Sequence, residues 1–296
     1  PLLMRYPELT INAAHGPNNY LVDESEGYFK FITPCHLSYQ DVFRVRQKKY
    51  HKLRAKTPEF YPLKLTTSLS KDLIELINNE KYIVIQIKTE SVNGTWQPCD
   101  PRTYIETIKE ILSLGYKVVF AGREKMPKCF KELGVINYSE SKSASPENDY
   151  ILILNASAVV ASGSGFAYIP DVLDVPLVTI NLIMLTAYPG RKTIHIPSLL
   201  SNDGVPMKFK EQLEYIYKRG QITKDDKTDK KIICHDASAE DILLAFKDLC
   251  QFIKHDFIIP PTESQIEFKN HFPLELTSKH LATISDKFIK KHNDRY

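Results

Sequence analysis

No apolar run in this sequence approaches the length of a membrane-spanning helix, and no leader peptide is visible. Because the chain opens on Pro1 instead of Met, the missing leader carries little weight. There is no G-x-G-x-x-G after the first strand-like run, which argues against a dinucleotide oxidoreductase. The phosphate-binding pattern G-x-x-x-x-G-K-[ST] and the nucleophile elbow G-x-S-x-G are also missing; Gly163-Ser164-Gly165 has the wrong spacing for the latter. No H-E-x-x-H, no cysteine pair and no Asp-x-Asp supports a metal site, so none is expected. The five cysteines (Cys35, Cys99, Cys129, Cys234 and Cys250) are scattered and odd in number, which reads as reduced intracellular thiols and a cytoplasmic protein. A formal charge of +3 makes no case for nucleic acid. Two basic clusters, Arg44–Arg54 and Lys287–Arg295, read as solvated helix faces or as peripheral contacts with an anionic membrane surface.

What is present is the make-up of an ordinary globular protein, long enough at 296 residues for one large or two modest domains. Residues 1–66 are irregular, with a His15-Gly16-Pro17-Asn18-Asn19 loop and a polar Val22–Gly27 stretch. From Leu65 onward strands and helices alternate. A capped helix over Lys71–Asn79 precedes a strand, Tyr82–Lys88. Asp100-Pro101 opens a helix that Gly115 ends. A strand at Lys117–Ala121, a helix near Pro127–Leu133, a short strand Val135–Tyr138 and a helix Asn148–Asn155 follow. Then come a strand Ala158–Ser162, a small-residue turn Ser162–Gly165, a short helix Phe166–Leu173 and a strand Leu177–Asn181. This alternation predicts an α/β fold with a Rossmann-like, doubly wound parallel sheet. Further elements are expected at Thr193–Ile196, Lys208–Lys218, from the capping box at Ser238 to Lys254, and in a last helix Ser278–Lys291. The organisation expected is a reduced N-terminal region over 1–66, a Rossmann-like domain over 67–255, and a tail helix over 256–296 that packs back.

Ligands of open α/β sheets bind at the carboxyl ends of the strands. That edge would gather Lys88, Gly122 with Arg123, Tyr138, the Ser162-Gly163-Ser164-Gly165 turn and Asn181. Two cations, several hydroxyls and a glycine turn at a helix start suit a phosphorylated ligand. Each residue has a plainer reading: Lys88 solvating a strand end, Arg123 pairing with Glu124 or Glu140, Asn181 capping a turn. Gly163 and Ser164 are the strongest candidates.

The order of short motifs resembles the nucleotide-sugar-binding half of GT-B glycosyltransferases. Those motifs are the cation-ended strand, Asp100 to Tyr104 at a helix start, Gly115–Arg123, the Ser-Gly-Ser-Gly turn and Val175–Asn181. It is most similar to a bacterial family of surface-polysaccharide glycosyltransferases, distantly related to heptosyltransferases and O-fucosyltransferases. The resemblance implies that Ser162, Gly163, Ser164 and Gly165 face the donor's phosphates. It also implies metal-independent transfer of a sugar from a nucleotide-sugar donor to a glycan or lipid-linked acceptor, with no cofactor. Lys88 stands where the family usually has arginine, which keeps the charge and loses the planar fork. His15, Asp23 and Glu24, from the polar N-terminal loops, are the candidates for a catalytic base. Two alternatives stay open: a noncatalytic module that binds a sugar nucleotide or partner, and a sugar-nucleotide epimerase.

Overall fold

The computed structural model describes residues 71–78, 80–89, 99–183, 190–219, 231–255, 259–271 and 282–295. The readings placed on 1–70, including the basic Arg44–Arg54 stretch, lie outside these residues. A seven-stranded parallel sheet forms the centre, from β1 (Tyr82–Gln86), β2 (Lys117–Phe120), β3 (Ile136–Asn137), β4 (Ala158–Ser162), β5 (Leu177–Leu182), β6 (Thr193–Pro197) and β10 (Thr283–Ile284). Across the sheet the order is β3-β2-β1-β4-β5-β6-β10, with all six pairings parallel. The chain winds outward from β1 through β2 to β3, then returns to β4 beside β1 and winds the other way. Right-handed crossovers in both directions put the connecting helices on opposite faces. The α/β, doubly wound expectation is therefore met.

Strands buried on both faces explain the unbroken apolar runs. Every residue of β1, β4, β5 and β6 is buried. Each fully buried Val or Ile contributes roughly 1.5–3 kcal/mol. The helices are α1 (Lys71–Ile77), α2 (Ile105–Ser113), α3 (Lys128–Glu132), α4 (Pro146–Leu154), α5 (Tyr168–Val172), α6 (Phe209–Arg219), α7 (Ala239–Lys254), α8 (Glu263–Lys269) and α9 (Asp286–Lys291). Asp100 caps a 3-10 turn over Pro101–Tyr104 that runs into α2, its carboxylate accepting from the Arg102 N–H. Gly115 ends α2 with φ +83°, a conformation that costs glycine nothing. The capping box of α7 is present, with Ser238 and Asp241 exchanging bonds.

Two features add to the expected elements, and two expectations need correction. The Ser201–Gly204 turn is the tip of a hairpin between β7 (Leu199–Asn202) and β8 (Val205–Pro206), and β9 (Ile232–His235) pairs with β7. Polar residues on short strands hide the alternation there. Helix α8 is absent from the expected elements, although Thr262 and Gln265 form a full capping box. The helix expected over Ser278–Lys291 is shorter: Ala282 to Ser285 is extended, Thr283–Ile284 adds to the sheet beside β6, and Ser285 caps α9. Ile284 is thus buried as a strand residue; apolar spacing over so short a window cannot separate the two. Finally, the cations of Lys287–Arg295 are spent inside the fold. Lys287 pairs with Asp248, Lys290 with Asp286, Lys291 with Asp241 and Glu240, and Arg295 donates to the Leu200 and Met207 carbonyls. Among the described residues this cluster fastens the tail and presents no free basic face.

The tail clasp centres on Asp241. Its Oδ1 accepts from His292 Nε2 and Lys291 Nζ, both at 2.9 Å, and its Oδ2 from the Ser238 hydroxyl at 2.7 Å. Burial alone would raise this carboxyl; the hydrogen bonds of His292, Ser238 and Lys291 overcome it and hold the group well below the usual range.

A second buried carboxylate behaves in the opposite way. Asp171 of α5 ties the segment leading into β6: its Oδ1 accepts from the Gly190 N–H at 2.9 Å and the Thr193 hydroxyl at 2.7 Å. Its Oδ2 is buried without a hydrogen-bond partner among the described residues. Burial pushes this carboxyl up to about 7, against the pull of Thr193 and Gly190, and Asp174 adds to the rise. The fold therefore favours the neutral acid. That preference is fully felt below the unfolded pKa, near 4, and is lost as pH rises through about 7. Asp171→Asn copies the neutral acid and keeps Oδ1. Its stability relative to the parent should improve between about pH 5 and about pH 8, by on the order of 2 kcal/mol in urea titrations. An unchanged difference at the two pH values would contradict this.

Candidate functional site

The switch point of the sheet lies between β1 and β4, where the winding reverses. Open α/β sheets present a crevice there, at the strands' carboxyl ends. The Ser162–Gly165 turn sits on this crevice. Gln86, the last residue of β1, faces it from the neighbouring strand; it pairs with Ala161 in the sheet register. Lys88 follows two residues later.

The turn is built differently from the expectation. Ser162 ends β4, and the Gly163 N–H extends the ladder by donating to the Ile180 carbonyl at 3.1 Å. Gly163 is buried and its amide is committed to the sheet, so it does not offer a free N–H to an anion. Ser164 is extended, and Gly165–Ala167 forms a single 3-10 turn before α5. The expected helix over Phe166–Leu173 is reduced to five α-helical residues, because Pro170 supplies no N–H to the Phe166 carbonyl. So short a helix carries little macrodipole. An anion at this edge would have to be held by side chains and the exposed end of the turn. Gly165 is exposed, with nothing within 4 Å of where a Cβ would stand.

Gln86 organises the turn. It is only 3% exposed, and its Oε1 accepts from the Ser164 hydroxyl at 3.0 Å and from the Ser162 hydroxyl at 3.4 Å. On its other side Gly122, at φ +110°, lets the chain pass close: a Cβ there would fall 3.0 Å from Gln86 Cγ. Gly122 is thus a packing partner of the crevice. Motif patterns pass Gln86 over, although a lone amide in the run Tyr82–Lys88 is the available signal.

The other candidates divide. Lys88 is half-buried at the crevice edge, and burial pushes its ammonium below the ordinary value, with Glu124 pulling the other way. Arg123 is exposed; burial raises the nearby Asp149 carboxyl, and the Tyr138 hydrogen bond and then the Arg123 charge offset part of that rise. Tyr138 is buried; its hydroxyl accepts from the Ser145 N–H at 3.3 Å and lies by the Ser143 and Ser145 carbonyls, which organises the loop after β3. Asn181 is a structural clamp. At φ +57° it lies within the register shift of β5 against β6, which re-aims its side chain. Its Nδ2 donates to Asp236 Oδ1 at 2.9 Å and to Cys99 Sγ at 3.3 Å, and its Oδ1 accepts from the Ala237 N–H at 2.7 Å. Asp236 also accepts from the Asp100 N–H at 3.2 Å, and the Cys99 N–H donates to the Lys88 carbonyl at 2.8 Å. Burial raises both the Asp236 carboxyl and the Cys99 thiol. This network ties the ends of β1 and β5 to the start of α7. His15, Asp23 and Glu24 lie outside the described residues. Among the described residues no group of His, Cys, Asp and Glu is placed to hold a metal ion, and no helix is long and apolar enough to cross a membrane.

No protein-family model and no curated sequence matches the chain. Among solved structures, it is similar to the E. coli ADP-heptose LPS heptosyltransferase II at 17% identity and a TM-score of 0.42, covering 66% of this chain and 54% of that one. It is similar to a glycosyl transferase family 9 protein from Veillonella parvula at 12% identity and a TM-score of 0.39, covering 67% and 56%. The E. coli heptosyltransferase WaaC, solved with ADP, matches at 17% identity and a TM-score of 0.31, covering 51% and 48%. The matched region spans about half the length of these proteins.

Proposed function

We propose that this chain carries the nucleotide-sugar-binding half of a GT-B glycosyltransferase, and that the crevice between β1 and β4 holds the donor's phosphates. The observation that carries this reading is that Lys88, Ser164 and the exposed Gly165 turn follow the carboxyl ends of the neighbouring strands β1 and β4, at the switch point of a doubly wound sheet. The order of short motifs in the sequence supports the sugar-nucleotide class of ligand. In the reaction an acceptor hydroxyl attacks the anomeric carbon while the nucleoside phosphate leaves. Lys88 and the serine hydroxyls stabilise the charge that collects on the leaving oxygen, and the crevice fixes the donor's orientation. Arg123, exposed after β2, would meet the donor's outer phosphate or sugar. The catalytic base is sought among His15, Asp23 and Glu24. The acceptor is a glycan or a lipid-linked sugar, the work is cytoplasmic, and no metal takes part.

The test is incubation with a panel of nucleotide sugars, with and without glycan and lipid-linked acceptors. Free nucleotide released only when an acceptor is present, and unaffected by EDTA, is the expected result. Lys88→Ala should lower that turnover by about 100-fold or more, as loss of one charge-stabilising group does. An isomerised sugar nucleotide would replace transfer by epimerisation. Thermal stabilisation without turnover would leave a binding module. Loss of activity in EDTA restored by Mn²⁺ would overturn metal independence.

A further inference from the structure

We propose that Asn181 is a positioning residue for Lys88: its buried amide pins the junction from which the Lys88 ammonium serves a diphosphate in the switch-point crevice. This rests on the crevice being a phosphate site. The ladder that β1 makes with β2 and β4 ends at Gln86. Lys88, two residues on, is held by its carbonyl, which accepts from the Cys99 N–H at 2.8 Å. Asn181 fastens the Cys99 side of that junction twice. Its Nδ2 carries two protons. One goes to Cys99 Sγ at 3.3 Å and the other to Asp236 Oδ1 at 2.9 Å. Asp236 passes the hold back, its Oδ2 accepting from the Asp100 N–H at 3.2 Å. The amide oxygen is itself anchored by the Ala237 N–H at 2.7 Å, just before α7. The chain after β1 is therefore placed by β5 and α7, although β4 separates β1 from β5 in the sheet.

Asn181 reaches these partners at φ +57°, a left-handed conformation that is uncommon inside a strand and that folds tend to keep where function needs it. It is buried, so it acts through its neighbours and not by touching a ligand. Cys99 is also buried, and it stands close enough to Lys88 to act on the ammonium electrostatically. Lysine makes such a pin matter. Its ammonium is a point charge on a flexible stem, without the planar fork that pre-organises arginine. Where the Lys88 backbone stands therefore decides what its charge can reach.

The test is a double-mutant cycle of Asn181→Gly with Lys88→Ala, read as affinity for ADP, GDP, UDP and CDP by calorimetry, with melting curves to confirm folding. Glycine takes the left-handed φ freely, so the backbone is kept and the amide is lost. Lys88→Ala should weaken diphosphate binding about tenfold or more, the worth of one charge-assisted hydrogen bond. Asn181→Gly should weaken it about three- to tenfold in the parent and less than twofold in the Lys88→Ala background. Binding by Asn181→Gly should also become less sensitive to salt, as in Lys88→Ala, because a misplaced cation no longer meets the phosphates. A merely structural loss would leave the salt sensitivity of the parent, and that result would overturn the positioning role. Equal losses in both backgrounds, or no loss in either single variant, would overturn it too while the parent's binding keeps the phosphate site standing. Asp236→Ala, which removes the acceptor shared by Asn181 and Asp100, goes through the same cycle with the same expectations and decides the question if Asn181→Gly does not fold. If the parent binds none of the four diphosphates, the phosphate reading of the crevice falls and the role of Asn181 with it.

Discussion

Gly190→Ala should destabilise the protein by about 3 kcal/mol or more, measured as a shift in the urea midpoint at unchanged slope. A Cβ at this position would stand 2.3 Å from Asp171 Oδ1 and 2.9 Å from Asp171 Cγ, with the Thr193 hydroxyl at 3.0 Å. Contacts that close cannot be tolerated, so something must move. Asp171 is fully buried in α5 and cannot swing into solvent. If it retreats, the Gly190 N–H and the Thr193 hydroxyl lose the acceptor that satisfies them. Leaving buried donors unpaired costs about 1–3 kcal/mol each. If Gly190 moves instead, the start of β6 moves with it, and β6 bridges β5 and the edge strand β10. Arg191 and Lys192, the next two residues, are also tied through Asp174 to the turn that follows α5, which limits any shift of that segment. Truncating the obstacle is the control: Asp171→Ala in the Gly190→Ala background should cost less than the sum of the single changes, because the second substitution removes the clash. A loss below about 1 kcal/mol for Gly190→Ala alone would mean that the segment adapts freely.

The same clamp shows why sequence reasoning stops where it does. Strand interiors are legible because burial on both faces forces continuous β-branched runs, as in Tyr82–Gln86 and Ala158–Ser162. Helix ends are legible where one residue acts on its immediate neighbours, as with Asp100 before Pro101, Ser238 three residues before Asp241, and Gly115 and Gly134 at positive φ. Asp171 and Gly190 are far apart in sequence and meet only after α5 and β6 have packed, so neither stands out in a window of any length. Gln86 is intermediate. Its identity is visible, but its role depends on the sheet order that brings β1 beside β4. Asn181 reads as a ligand contact because it ends a strand at the right edge. The positive φ that turns it toward Cys99 and Asp236 follows from the register of β5 against β6, which no local pattern encodes. The helix expected after the Ser-Gly-Ser-Gly turn is too long because Pro170 is harmless in a first helical turn and limiting later.

Gly165→Asp should leave the fold within about 0.5 kcal/mol of the parent while weakening diphosphate binding about 100-fold or more, and with it any sugar transfer. The two halves of that expectation have separate causes. Gly165 is exposed, and no atom lies within 4 Å of the position its Cβ would take. It is also not among the residues with a left-handed φ, so a side chain brings neither clash nor backbone strain. Gly163, two residues earlier, is the wrong place for such a probe: it is buried with its N–H in the β4–β5 ladder, so a side chain there would report on the sheet. The carboxylate of Gly165→Asp would stand one residue beyond Ser164 at the mouth of the crevice. A second negative charge within several ångströms of a diphosphate, beside a low-dielectric wall, costs a few kcal/mol, and a loss of 100-fold corresponds to about 2.7 kcal/mol. Gly165→Ala separates charge from shape and should bind within about twofold of the parent. Should Gly165→Asp bind the diphosphate as the parent does, the ligand lies elsewhere on the carboxyl edge, and the loops after β2 and β3 become the place to look. Should Gly165→Ala alone lose binding, the backbone of the turn approaches the ligand more closely than its side chains do. Salt provides a further check on the electrostatic origin, since the penalty of the new charge should shrink as ionic strength rises through the range where the Debye length falls to about 3 Å.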